Sequence, residues 1–127
     1  MTAVDFILFW LRAFALTVLV ELPVATALLH SPEGPAVPAW RRAGLVVFAN
    51  LASHPVLWFV LSALPLPGAW TLVVSECWAV LAEAALYRLA LEGVSLRRCA
   101  AASLAANAAS LPGWPDWHRR CWPRCRC

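Results

Sequence analysis

One stretch restricts this chain more than any other: Ala69–Glu92, AWTLVVSECWAVLAEAALYRLALE. Crossing ~30 Å of hydrocarbon takes ~20 mostly apolar residues. The stretch is long enough, yet it holds Glu76 and Glu83. A central Glu, treated like Asp, costs roughly 3 kcal/mol on the insertion scale, and each Leu or Val returns about 0.5. The Leu and Val residues of the stretch recover about 4 kcal/mol against about 6 for the two Glu. Such a helix does not sit alone in lipid. It needs neighbouring helices, bound water or neutral carboxyls.

The spacing of the polar groups says which face those neighbours must cover. Glu76 and Glu83 are one heptad apart, within about 20° on a helix. Tyr87 lies one turn beyond Glu83 on the same face. Arg88 is about 140° round from Glu83 and near the end of the span, where it can snorkel to the headgroups. The expected inward stripe is therefore Glu76, Glu83 and Tyr87.

Composition agrees with a membrane protein. Of 127 residues, 62% are hydrophobic and 13% charged, about half the charged share of a soluble domain. All ten basic residues are Arg. Together with abundant Ala, this points to a GC-rich, bacterial coding genome. A net charge of +3 and the lack of a glycine-rich phosphate loop argue against a nucleic-acid or nucleotide partner. No cofactor motif is present. The partners expected are the lipid bilayer and either further copies of the chain or another membrane protein.

The rest of the chain supplies three more spans, giving an all-α polytopic bundle of about four transmembrane helices over residues 1–112. The spans expected are about 6–29, 43–64, 69–91 and 96–111. The first carries Arg12 and Glu21, half a turn apart in azimuth. Pro23 lacks an N–H and invites a kink there. Ala25-Thr26-Ala27 resembles a signal cleavage site, but Asp5, the lack of an early basic residue and Glu21 disfavour a signal peptide. Residues 30–42 read as a Pro-rich loop ending in an interfacial Trp40-Arg41-Arg42 anchor.

The second span places Asn50 and His54 one turn apart, next to Pro55, which leaves the Leu51 carbonyl without its usual donor. Pro65-Leu66-Pro67-Gly68 reads as a tight turn. It makes the second and third spans a hairpin and sets His54 at the depth of the carboxyls. His54 is then the expected partner of Glu76 or Glu83, either in packing or in a proton relay. The fourth span is short and Ala-rich. It has small residues at four-residue spacing (Ala101, Ala105, Ala109; Ala102, Ala106, Ser110) that allow close helix approach. Its Asn107 needs a partner among Glu21, Glu83 and His54.

Residues 113–127 form a separate tail rich in Trp, Arg and Cys, suited to headgroups. His118, Cys121, Cys125 and Cys127 fit no standard zinc spacing, so no metal site is expected. Orientation is balanced, with Arg41, Arg42, Arg97 and Arg98 on one side and the four tail arginines on the other.

The candidate site is thus an intramembrane cluster of Glu21, Asn50, His54, Glu76, Glu83, Tyr87 and Asn107. The function expected is that of a non-enzymatic accessory or assembly subunit of a bacterial inner membrane, or of a small oligomeric proton- or ion-linked transport element. The alternative is a hydrolase-like intramembrane enzyme using His54 and Glu83. The chain has no H-E-x-x-H helix for a metal-dependent version of that chemistry.

Overall fold

The structure is a computed structural model and describes residues 2–30 and 37–111. It is all-helical. The first helix, α1, runs Ala3–Leu28. Thr2 and Asp5 start it with a capping box, each side chain bonding the other's backbone amide, which satisfies two of the orphan donors of the first turn. It passes through Pro23 without a break.

The second helix, α2, runs Ala39–Pro55 with Pro38 as its N-cap. It begins earlier than the sequence suggests, because the helix can start as soon as the last proline of the loop is passed. Trp40, Arg41 and Arg42 therefore lie in its first turn rather than in the loop. At Pro55 the missing amide changes the winding. The N–H of Val56 turns to the Ser53 carbonyl. Val56–Val60 then widen to a π turn, Leu61 reaching the Val56 carbonyl, and Leu61–Ala63 tighten to 3-10 geometry. A π turn after proline absorbs the lost bond without ending the rod.

The third helix, α3, runs Gly68–Ala90, and α4 runs Leu96–Ser110. Between them Gly93 takes a left-handed φ of 82°, which a residue with a Cβ adopts only at a cost. Ser95 then caps α4 by accepting from the Arg98 amide.

Three stretches, Val4–Leu28, Ala39–Ala63 and Gly68–Ala90, are long and apolar enough to cross a membrane. At 15 residues, α4 reaches only ~22 Å. It is held by packing rather than by length. Helix α1 packs on α2 and α4, and α3 packs on α2 and α4, so the four helices form a ring with α1 and α3 on one diagonal. Arg42 donates to the Thr26 carbonyl at 2.8 Å and Arg98 to the His30 carbonyl at 3.0 Å. Two guanidiniums thus gather at the C-terminal end of α1, where the helix dipole favours cations.

Of the two small-residue rows on α4, the one through Ala102 and Ala106 is sealed, both being 0% exposed, and the row through Ala101 and Ala109 faces outward. Enlarging the sealed row should push α4 off its neighbours. Ala106→Leu is expected to destabilise the folded protein by ~1–3 kcal/mol, while Leu104→Ala on the exposed face leaves stability near wild type. Unfolding midpoints in a mixed detergent titration compare the two.

Candidate functional site

The helix ring brings two carboxyls to its centre. Glu21 on α1 is 0% exposed and Glu83 on α3 is 1% exposed. Each bridges the two helices that flank it. Glu21 Oε2 accepts from Asn50 Nδ2 on α2 at 2.9 Å, and its Oε1 from Ser110 Oγ on α4 at 2.9 Å. Glu83 Oε1 accepts from Ser53 Oγ on α2 at 3.3 Å. Its Oε2 accepts from Ser103 Oγ at 2.9 Å and Asn107 Nδ2 at 2.8 Å, both on α4. Every carboxyl oxygen is engaged, as burial requires.

The pattern repeats within the chain. Each Glu takes the Asn of its own hairpin on Oε2 and the Ser of the other hairpin on Oε1. The sequence carries the same repeat: Ala49–Pro55 reads ANLASHP and 106–112 reads ANAASLP, while Val18-Leu19-Val20-Glu21 parallels Val80-Leu81-Ala82-Glu83. Burial follows it too. One turn beyond each Glu, Ala25 and Tyr87 are both 0% exposed, and two turns beyond, Leu29 and Leu91 are both 1% exposed. The two hairpins are therefore related like the halves of a two-fold dimer, in which residue i meets j and j meets i. Ser103 breaks the likeness, since Val46 holds the corresponding place on α2. Glu83 consequently has one donor more than Glu21.

Four of the five donors, all but Ser103, also have a second acceptor on their own helix. The other amide hydrogen of Asn107 serves the Ser103 carbonyl at 2.9 Å, and that of Asn50 serves the Val46 carbonyl at 3.2 Å. The Ser110 hydroxyl lies 2.9 Å from the Asn107 carbonyl and the Ser53 hydroxyl 3.4 Å from the Asn50 carbonyl. A hydroxyl has a single hydrogen. It donates to the carboxylate, or turns to its own backbone and accepts from a carboxylic acid. The layer therefore has hydrogen bonds to offer either protonation state.

The remaining members of the expected cluster lie elsewhere. His54 does not join the carboxyls; the residue before it, Ser53, does. The His54 ring takes a hydrogen bond from Trp10 Nε1 on Nδ1 at 3.0 Å. It stacks on Trp58 at 5.9 Å and meets Phe14 edge-on at 5.4 Å between centroids. Since Trp only donates, Nδ1 is an acceptor and a neutral ring carries its hydrogen on Nε2. That nitrogen is buried without a partner among the described residues. Tyr87 is buried next to the carboxyl layer, and its hydroxyl likewise has no partner among the described residues. Glu76 is only half-buried and stands outside the hydrogen-bonded set. It lies below the level at which α4 ends, so no described helix covers it on that side.

Sequence reasoning overlooked Ser53, Ser103, Ser110 and Trp10. Hydroxyls spaced among small residues carry little signal by themselves. The repeated A-N-x-A-S-x-P was the available signal for Ser53 and Ser110. The tail with His118, Cys121, Cys125 and Cys127 lies outside the described residues. Among the described residues no group of three or more His, Cys, Asp or Glu is placed to hold a metal ion.

Compared with known protein families, characterised proteins and solved structures, the chain matches none.

The bonding pattern makes removal of a donor and removal of an acceptor unequal. Asn107→Leu leaves the buried Glu83 short of a donor and is expected to cost ~1–3 kcal/mol. Glu83→Met keeps the volume and leaves Asn107 and Ser53 their backbone acceptors, with Ser103 alone losing its acceptor, so it is expected to cost less, about 1 kcal/mol. The double variant should recover most of the Asn107→Leu loss. A double-mutant cycle on unfolding free energy reads all three.

Proposed function

We propose that this chain is a non-catalytic, multi-pass protein of a bacterial inner membrane. It acts as an accessory or assembly subunit toward another membrane protein or toward its own copies, and its central carboxyls serve to join helices. What supports this reading is the closure of the polar layer. Both buried Glu spend their oxygens on Asn and Ser side chains from α2 and α4. A carboxyl used in this way ties four helices together where lipid supplies no hydrophobic drive for their association.

A second reading, a small oligomeric proton- or ion-linked transport element, draws on the switching hydroxyls of Ser53 and Ser110, which can pass from donating to accepting as a carboxyl gains a proton. Intramembrane acids commonly belong to such paths. The hydrolase-like reading has less support, because it needs the His54 ring at Glu83, whereas Ser53 bonds Glu83 and Trp10 bonds His54.

Proton flux separates the first two readings. The protein is reconstituted in lipid vesicles loaded with a pH-sensitive dye, under a potassium diffusion potential. The subunit reading expects wild-type vesicles to acidify no faster than protein-free ones. It also expects Glu21→Gln and Glu83→Gln to lower only the yield of folded protein. A wild-type flux that Glu83→Gln abolishes while the protein stays folded would overturn it in favour of the transport reading.

A further inference from the structure

One end of the bundle collects charge of one sign. Helices α1 and α3 finish there, and α2 and α4 begin there. Arg42 in the first turn of α2 reaches the Thr26 carbonyl in the last turn of α1. Arg98 in the first turn of α4 reaches the His30 carbonyl just past the end of α1. The short connection from α3 to α4 brings the end of α3 to the same level. Arg41, Arg42, Arg88, Arg97 and Arg98 all belong to this end. Against these five arginines the chain offers two acids there, Glu92 after α3 and Glu33 in the connection from α1 to α2. Residues 31–36 lie outside the described residues, but Glu33 is their one acid, so the end keeps an excess of positive charge wherever they go.

Two of the five arginines are held in place. Arg42 and Arg98 come from helices on opposite corners of the ring, and both are half-buried against α1. The carbonyls that hold them are four residues apart, about one helical turn. Two guanidiniums therefore stand near each other, and neither has a carboxylate partner among the described residues. The C-terminal dipole of α1 offsets only about half a charge. Each guanidinium has five N–H donors, and Nη1 alone is engaged in each, with one backbone carbonyl. Arg42 Nε is buried with no acceptor among the described residues. This corner is short of acceptors and of negative charge.

We propose that Arg42 and Arg98 bind the phosphate of an anionic lipid headgroup at the C-terminal end of α1. A phosphodiester supplies what the corner lacks: a full negative charge and oxygens that accept charge-assisted hydrogen bonds from two guanidiniums at once. The surroundings favour a lipid over a soluble anion. Trp40, Leu89 and Leu96 are exposed at this end, and an exposed Trp beside arginines is the composition of the headgroup level. Basic clusters next to membrane helices attract anionic headgroups. The carboxyl layer takes no part in the site, so the site stands whether those carboxyls join helices or carry protons.

The test counts bound lipid by native mass spectrometry. Full-length protein in a neutral detergent is titrated with phosphatidylglycerol and, separately, with phosphatidylcholine of the same acyl chains. Wild type is expected to prefer phosphatidylglycerol by about twentyfold or more. Arg42→Gln combined with Arg98→Gln leaves an amide donor at each position but removes both charges, and is expected to abolish the preference. Arg41→Gln combined with Arg97→Gln removes as much charge from exposed positions and is expected to keep most of it. Unfolding midpoints show whether each variant is folded. If the Arg42 and Arg98 double variant is not, the single substitutions replace it, each expected to lose about fivefold. A wild type without preference overturns the proposal, and a preference that then emerges in Glu33→Gln names Glu33 as the counter-ion instead. Equal losses in the two double variants also overturn it, because the attraction is then one of net charge and not of a site. Inorganic phosphate in large excess is expected not to displace the lipid; displacement would give the site to a soluble anion.

Discussion

The structure depends on one requirement: two carboxyls at hydrocarbon depth must have every oxygen hydrogen-bonded. In water, a Glu short of one donor finds a solvent molecule. In a bilayer core it does not, and the deficit falls on the protein. Here the requirement is met by placing Glu21 and Glu83 on diagonal helices, so that each faces α2 and α4 at once. The ring of helices and the closed polar layer are therefore one arrangement seen at two scales.

The fourth helix serves the same requirement. At 15 residues it is too short to span on its own, but it carries Ser103, Asn107 and Ser110, which supply three of the five hydrogen bonds to the carboxyls. Its Ala face lets it come close enough to deliver them. Below the carboxyl layer the packing between α1 and α2 is aromatic, around Trp10, His54 and Trp58.

His54 shows how environment outweighs residue type. A histidine beside a proline, at the depth of two carboxyls, is a natural relay on paper. Its azimuth decides otherwise: one residue is a rotation of about 100° on a helix. Ser53 therefore points to the centre and His54 into the aromatic side. Pro55 has a similar lesson. Its missing amide was expected to disturb the helix, and it does, yet the disturbance is taken up as a π turn and the span continues to Ala63.

The sequence by itself determined that the chain is helical, that it holds stretches able to cross a membrane (four were expected, and three of the helices are long and apolar enough), and that Glu21, Asn50, Glu83 and Asn107 require partners. These follow from local quantities: run length, the missing amide of proline, and the cost of a polar group in hydrocarbon. It also determined the internal repeat, since A-N-x-A-S-x-P is written twice. Only the tertiary structure decided who partners whom. Asn50 goes to Glu21, Ser53 and Asn107 go to Glu83, and His54 goes to Trp10. Depth can be counted along one helix, but a partner is chosen by the azimuth and spacing of several helices together, and those are set only when the helices pack.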